Sequence, residues 1–239
     1  AAAKPGGGAP SSVRPWTGRG PTRTLAGMPT VSLTSGSGPD EEWIERARRM
    51  NVPENEVPGI ASPAQVLARN GDAALWLEPV AVFSGGIRLS VQLLLRRSDA
   101  VPDDDGANPW GGMRQVLLGV ELPGGRRLVA EDDPARWLDH GDAPMLVHNG
   151  GGGGGRTFAS TWYLSPLPEP GDLVVVAAFP AGRLTEGRVV LPAADLAAAR
   201  AAVVRLWPWE RDVDRPPPSR SRPKAPEGGW FAEALDEPS

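Results

Sequence analysis

Hydrophobic and polar residues alternate along much of the chain, most regularly between residues 87 and 96. Apolar side chains recur there at every second position, with Arg, Ser and Gln at most of the positions between them. A period of two is typical of a β-strand that buries one face. Turn-forming Gly and Pro residues separate similar segments. The pattern predicts about eight short strands, at residues 73–83, 87–95, 116–122, 126–130, 145–148, 157–164, 173–179 and 188–191.

Helical patterns stand only at the two ends of this strand-rich region. Residues 40–50 begin with Asp40 as a capping residue and have acids in the first turn and arginines in the last, which predicts a short amphipathic helix. Residues 192–206 are rich in Ala and precede Pro208, which predicts a second helix. Residues 63–69 fit either a helical turn behind a capping box or an extended lead-in to the first strand.

Strands that do not alternate with helices argue against a parallel sheet. We therefore predict an all-β fold with flanking helices, an antiparallel β-sandwich on which the C-terminal helix packs with Trp207 and Trp209 as anchors. A β-barrel is the alternative. The sandwich domain is predicted at residues 40–209, between segments 1–39 and 210–239, which are predicted to be disordered because their Gly, Pro and polar composition cannot bury enough apolar surface.

The composition supports an ordered core and limits the classes of partner. The chain of 239 residues has 30 Gly and 27 Pro, yet 40% of its residues are hydrophobic and nine are Trp. Its formal net charge is −4, and the acidic excess falls on the predicted domain, so we expect no specific nucleic-acid binding. The absence of Cys excludes disulfides, thiolate metal sites and Cys nucleophiles.

The sequence also bears on localisation. No apolar run is long enough to span a membrane and no signal-peptide block is apparent, so we predict a cytoplasmic protein without a membrane partner. Met28 would make a natural first residue, which predicts that residues 1–27 do not belong to the working protein.

Six consecutive glycines at residues 150–155 formally contain the GxGxxG pattern of a phosphate-binding loop. Such a loop is backed by a helix N-terminus, whereas this tract leads into a predicted strand and is not followed by Lys-Ser or Lys-Thr. The tract is therefore predicted to be a flexible connection between strands. No zinc-protease, serine-hydrolase or Walker motif occurs either, so we predict no cofactor and no catalytic residue, and we favour a protein that is not an enzyme.

The two histidines lie close to acidic residues in the sequence. His140 and His148 stand near Asp139 and Asp142. Imidazole and carboxylate groups bind zinc or iron and act as acid–base pairs, so these four residues are candidate metal ligands. The competing interpretation is a solvated acidic loop.

Aromatic residues suggest two kinds of binding surface. Trp76, Trp110 and Trp162 would form a sugar-stacking platform if exposed, whereas Trp in strands is more often a core residue.

In the C-terminal tail, Trp230, Phe231 and Leu235 would share one side of a helical turn, which predicts a segment that folds onto a partner protein. The alternative is that this segment packs on its own sandwich.

The stretch from residue 150 to residue 208 combines several features. The glycine tract precedes an aromatic strand, a Pro-Leu-Pro turn with a following Pro-Gly, an apolar strand that ends at a proline, and a helix that closes on Leu-Trp-Pro. This combination resembles a group of uncharacterised actinobacterial proteins, over roughly residues 55–210. The resemblance implies one compact domain and no particular chemistry.

These observations favour a non-enzymatic binding or protein-interaction module. A carbohydrate-binding or small-ligand-binding sandwich is the first alternative. A metal-dependent hydrolase that uses His140 and His148 is the second.

Overall fold

The computed structural model describes residues 41–97, 116–130 and 143–210, together with Trp230. The chain divides into two compact units, Ala1–Asp40 and Glu41–Ser239. The predicted disordered segments, residues 1–39 and almost all of 210–239, lie outside the described residues. The description below therefore concerns the second unit alone.

The second unit is built mainly from β-strands, with one helix before the first strand and another between the last two strands. In chain order the elements are α1 (Glu41–Met50), β1 (Glu56–Val57), β2 (Gly59–Ser62), β3 (Gln65–Arg69), β4 (Ala73–Leu77), β5 (Val80–Val82), β6 (Ile87–Leu95), β7 (Leu117–Glu121), β8 (Arg127–Val129), β9 (Met145–Gly154), β10 (Thr157–Ser165), β11 (Leu173–Phe179), a 3₁₀ turn (Pro180–Gly182), β12 (Leu184–Leu191), α2 (Ala193–Ala201) and β13 (Val204–Arg205).

The strands form two main sheets around one core. The larger sheet has the order β2-β5-β6-β10-β9, with β4 also on β6 and β3 on β4, and the smaller has the order β12-β11-β7-β8. Strands β1 and β13 form a separate two-stranded ribbon. The pairings are antiparallel. The predicted all-β sandwich is confirmed, and the barrel alternative is wrong because no sheet of the described residues closes on itself.

Alternation of side chains fills the core from both sheets. The inward positions of β6, from Ile87 to Leu95, are at most 3% exposed, and they meet Leu173, Val175 and Phe179 of β11 in one apolar cluster. Each fully buried aliphatic side chain stabilises the fold by about 1.5–3 kcal/mol relative to an exposed one. This cluster is therefore the main apolar contribution that holds the two sheets together.

The C-terminal helix packs on the sandwich, as predicted, but it ends earlier. Helix α2 ends at Ala201, and Val204 and Arg205 are extended and pair with β1. Asn55 supports this pairing, because its carbonyl accepts the Leu206 N–H at 2.9 Å and its side-chain amide donates to the Trp207 carbonyl at 2.8 Å. Trp207, one of the two predicted anchors of this helix, is 59% exposed.

The described residues contain thirteen strands rather than eight. Pro79 has no N–H and interrupts the predicted strand 73–83, although both of its pieces, β4 and β5, pair with β6. The helical turn at residues 63–69 is wrong, since this segment is strand β3. The Gln65 amide and the Ser62 hydroxyl do bond to each other, but in a turn between two strands rather than at a helix start.

The glycine tract is a strand and not a flexible connection. Gly150–Gly154 continue β9 and pair with Thr157–Thr161 of β10, and only Gly155 and Arg156 form the turn. A glycine run has no side-chain alternation, so its strand character is invisible to pattern analysis. Strand β9 forms the last strand of the larger sheet in the described order.

None of the helices in the described residues is long and apolar enough to cross a membrane.

Candidate functional site

A cavity of about 850 Å³ lies beside α1 and is called here the α1 cavity. Its walls come from α1 and residues 51–56 and from the turn at Ser84 and Gly85. The remaining lining residues are Asn149, Tyr163, Ser165, Pro166, Arg205, Trp209 and Glu210. Small-molecule sites have volumes of about 300–1,000 Å³. The cavity is therefore of a size that suits a small ligand.

Glu56 places a buried carboxylate at this cavity. It is the first residue of β1, and its side chain is only 4% exposed. Its Oε2 accepts a hydrogen bond from the Ser84 N–H at 2.9 Å, and its Oε1 accepts one from the Ser84 hydroxyl at 2.6 Å. These two bonds connect β1 to the turn between β5 and β6, and each carboxylate oxygen keeps a further lone pair for another donor.

Arg205 places a positive charge close to Glu56. It is the register partner of Glu56 in the ribbon, with its Nη2 3.8 Å from Oε1. The distance exceeds that of a hydrogen bond, and the Arg205 side chain is 66% exposed, so water screens much of its charge. Arg205 therefore offsets the charge of Glu56 only in part.

Tyr163 places a buried hydroxyl at the same cavity. The residue is 1% exposed, its ring packs edge-on against Phe83 with centroids 6.2 Å apart, and it forms a small apolar cluster with Ala81 and Val52. No group among the described residues accepts a hydrogen bond from its hydroxyl. Burial, and after it the negative charge of Glu56, raises the pKa of Tyr163 well above its usual value. The hydroxyl therefore keeps its proton and remains a donor.

Helix α1 closes one side of the cavity. The Ser165 hydroxyl donates to the carbonyl of Arg49 at 2.5 Å, which attaches the last turn of the helix to the end of β10. The guanidinium of Arg48 lies 4.7 Å from the ring centroid of Trp209. Trp209, which was predicted to anchor the C-terminal helix, thus contacts α1.

The charges around the cavity nearly balance. Its lining contains four glutamates and three arginines, so its formal charge is −1. A balance of this kind gives no strong field for an anion or a cation.

The predicted metal site is described only at His148. This residue is exposed on β9, and its ring centroid lies 4.7 Å from that of Trp162. Among the residues that the structure covers, no group of three His, Cys, Asp or Glu could hold a metal ion. His140, Asp139 and Asp142 lie outside those residues, so the metal site stays a prediction.

The predicted aromatic sites have different outcomes. Trp162 belongs to the apolar core and presents no face to a sugar, whereas Trp76 is half-buried on β4 and Trp110 is outside the described residues. Trp230 is 72% exposed.

Phe231 and Leu235, the other two residues of the predicted partner-binding segment, are not described. Binding of a partner protein by Trp230, Phe231 and Leu235 therefore stays a prediction.

Sequence reasoning missed Glu56, Ser84 and Tyr163 as site residues. Glu56 and Ser84 are 28 residues apart, and Tyr163 lies on a third segment, so no local spacing relates them. The one usable signal was that Tyr163 is the only Tyr in the chain and falls within an otherwise typical strand.

Comparison with known proteins gives no relative, since no family model, curated protein or solved structure matches the chain. The resemblance to uncharacterised actinobacterial proteins therefore stays a prediction.

Proposed function

We propose that the protein is a non-enzymatic binding module that holds a small polar ligand in the α1 cavity. The observation that carries the proposal is the Tyr163 hydroxyl, which is buried at the cavity wall with no acceptor among the described residues. Leaving a buried polar group unpaired costs about 1–3 kcal/mol. Buried Tyr hydroxyls are therefore usually hydrogen-bonded, and a bound ligand supplies the missing acceptor.

The Glu56 carboxylate and the Tyr163 hydroxyl are held in fixed positions, which supports ligand binding. Two hydrogen bonds from Ser84 fix the Glu56 carboxylate, and packing against Phe83 fixes the Tyr163 ring. Groups fixed in advance lose little freedom when a ligand binds, which favours affinity. Tyr163 lies on β10 of the larger sheet, and the two bonds from Ser84 attach Glu56 of the ribbon to the turn between β5 and β6, so the sandwich is the rigid scaffold of the site.

A fragment screen on the full-length protein tests the proposal. Neutral, cationic and anionic fragments are added to ¹⁵N-labelled protein, and amide chemical shifts are followed by NMR. We expect the shift changes to cluster at Ser84, Gly85 and Asn149, which line the cavity. The same fragments should not perturb the amides of β8.

A cavity-filling variant provides the control. A Cβ added at Gly85 would lie 3.6 Å from the Tyr163 hydroxyl, an ordinary contact, so Gly85→Leu extends a side chain beside it. A Cβ at Gly71 would meet nothing within 4 Å, which makes Gly71→Leu the matched control. We expect Gly85→Leu to lose fragment binding while its remaining amide spectrum is retained, and Gly71→Leu to bind like the wild type. Undiminished binding by Gly85→Leu, or no cavity shifts with any fragment, contradicts the proposal.

A further inference from the structure

We propose that the ligand of the α1 cavity is a neutral polyhydroxylated compound, a sugar or polyol, one hydroxyl of which lies between Tyr163 and Glu56. This inference rests on the proposed function. It adds the chemical class of the ligand to it.

The two buried polar groups require opposite partners. The protonated Tyr163 hydroxyl needs an acceptor, whereas the Glu56 carboxylate, which already accepts two hydrogen bonds from Ser84, has lone pairs that can take only a further donor. Glu56 is bonded to Ser84, and the Tyr163 hydroxyl lies 3.6 Å from the position that a Cβ would take on the neighbouring Gly85, so both groups line the same part of the α1 cavity. A hydroxyl oxygen can accept from Tyr163 and donate to Glu56 at one atom.

A charged group on the ligand would bind favourably to only one of the two residues, Tyr163 or Glu56. An ammonium group would pair with Glu56 but accepts nothing, so it would leave the Tyr163 hydroxyl without a partner. A carboxylate or phosphate would accept from Tyr163 but would be repelled by the buried Glu56 charge. The near balance of glutamates and arginines in the lining also favours a neutral ligand.

Other parts of the cavity suit a ligand with several hydroxyls. Asn51 and Asn149 both line it, and their side chains meet at 3.4 Å, a long contact that leaves amide groups able to bond elsewhere. Trp209 also lines it, and the residue is 37% exposed although the Arg48 guanidinium lies over its ring. The C–H faces of sugars pack on aromatic rings of this kind.

The test compares three classes of compound on the full-length protein. The neutral class contains glucose, galactose, mannose, their disaccharides, glycerol and sorbitol. The cationic class contains putrescine and spermidine, and the anionic class succinate and citrate. Binding is measured by amide shifts at Ser84, Gly85 and Asn149. We expect at least one neutral compound to bind there, with an affinity that does not change with salt because no ion pair forms.

Three variants separate the roles of the two groups. Tyr163→Phe removes one hydrogen bond and should weaken binding about 5–10-fold. Glu56→Gln keeps an acceptor oxygen and should weaken binding of a neutral ligand only a few-fold, whereas binding of an amine would be lost. Ser90→Ala removes a half-buried hydroxyl that bonds Thr161 and does not line the cavity, so it should leave binding unchanged.

The outcomes distinguish this inference from the proposed function. Cavity binding by an amine or a carboxylate but by no neutral compound overturns the inference and leaves the proposed function standing. Neutral binding that Tyr163→Phe does not weaken also overturns it. If no compound of any class perturbs the cavity amides, both the inference and the proposed function are wrong.

Discussion

Tyr163 is the residue on which the site depends, and it can be observed alone because the chain has one Tyr. A Tyr in an unfolded chain ionises near pH 10. Burial, and after it the charge of Glu56, raises the pKa of Tyr163 in the folded state. We expect the tyrosinate absorbance of the folded protein to appear well above pH 10, and that of the urea-unfolded protein to appear near pH 10.

The same shift makes the stability depend on pH, with a sign that follows from proton binding. Above pH 10 the unfolded state loses the Tyr163 proton while the folded state keeps it. The free energy of unfolding should therefore fall as pH rises above 10, by up to about 1.4 kcal/mol per pH unit. Urea titrations at several pH values measure this slope. Tyr163→Phe should lack this part of the slope, and an identical slope in both proteins would show that the hydroxyl is not buried as described.

At the residue scale, the sequence predicted which side chains are buried better than it predicted which polar side chains meet at the candidate site. The inward positions of β6 follow from alternation, because each side chain obeys the two-residue period of its own strand. The pairing of Glu56 with Ser84, and the position of Tyr163 near them, depends on which strands become neighbours. That information is not local, so no spacing in the sequence contains it.

At the scale of elements, the glycine half of β9 has a packing requirement. A Cβ added at Gly153 would lie 2.5 Å from the Thr157 carbonyl oxygen and 2.8 Å from the Phe158 Cα. Both are backbone atoms of β10, which cannot move without disturbing the sheet. A Cβ at Gly154 would meet nothing within 4 Å. Neighbouring glycines of one tract thus have different structural roles.

Two alanine substitutions test this difference. Gly153→Ala should lower the free energy of unfolding by about 1–3 kcal/mol, because the strand pair must shift to admit the methyl group. Gly154→Ala should raise it by about 0.4–1 kcal/mol, because Ala restricts the unfolded chain and fits the open space. Urea denaturation measures both. Equal values for the two variants would indicate a flexible connection, as the sequence had suggested.

The elements that were predicted well are those whose own sequence contains the pattern that defines them. The strands at 87–95, 157–164 and 173–179 appear close to the predicted bounds, because alternation or a long apolar run marks them. The second helix is shorter than its Ala-rich sequence favours, because β1 pairs with the residues after it. Tertiary pairing overrode helix propensity there, which a single sequence could not indicate.

At the scale of the whole molecule, the backbones of the two sheets come into close contact where β12 meets β3. A Cβ added at Gly187 of β12 would lie 1.9 Å from the carbonyl oxygen of Leu67 in β3, and 2.4 Å from its carbonyl carbon. The two strands belong to different sheets, and Leu67 is part of the common core. A sandwich was predictable from the number of strands, but the edge at which its sheets join was not.

This join gives a prediction for the stability of the sandwich as a whole. Gly187→Ala should force β12 away from β3, because the new methyl group would meet the carbonyl group of Leu67, which belongs to the backbone. We expect the free energy of unfolding to fall by at least about 1–3 kcal/mol. Gly71→Ala, whose new methyl group would meet nothing within 4 Å, is the matched control and should change the stability by less than about 0.5 kcal/mol. Urea denaturation followed by Trp fluorescence measures both, since Trp162 lies in the common core and reports its loss. If Gly187→Ala unfolds at the same urea concentration as Gly71→Ala, the sheets do not meet at this edge, and the packing of β12 on β3 is wrong.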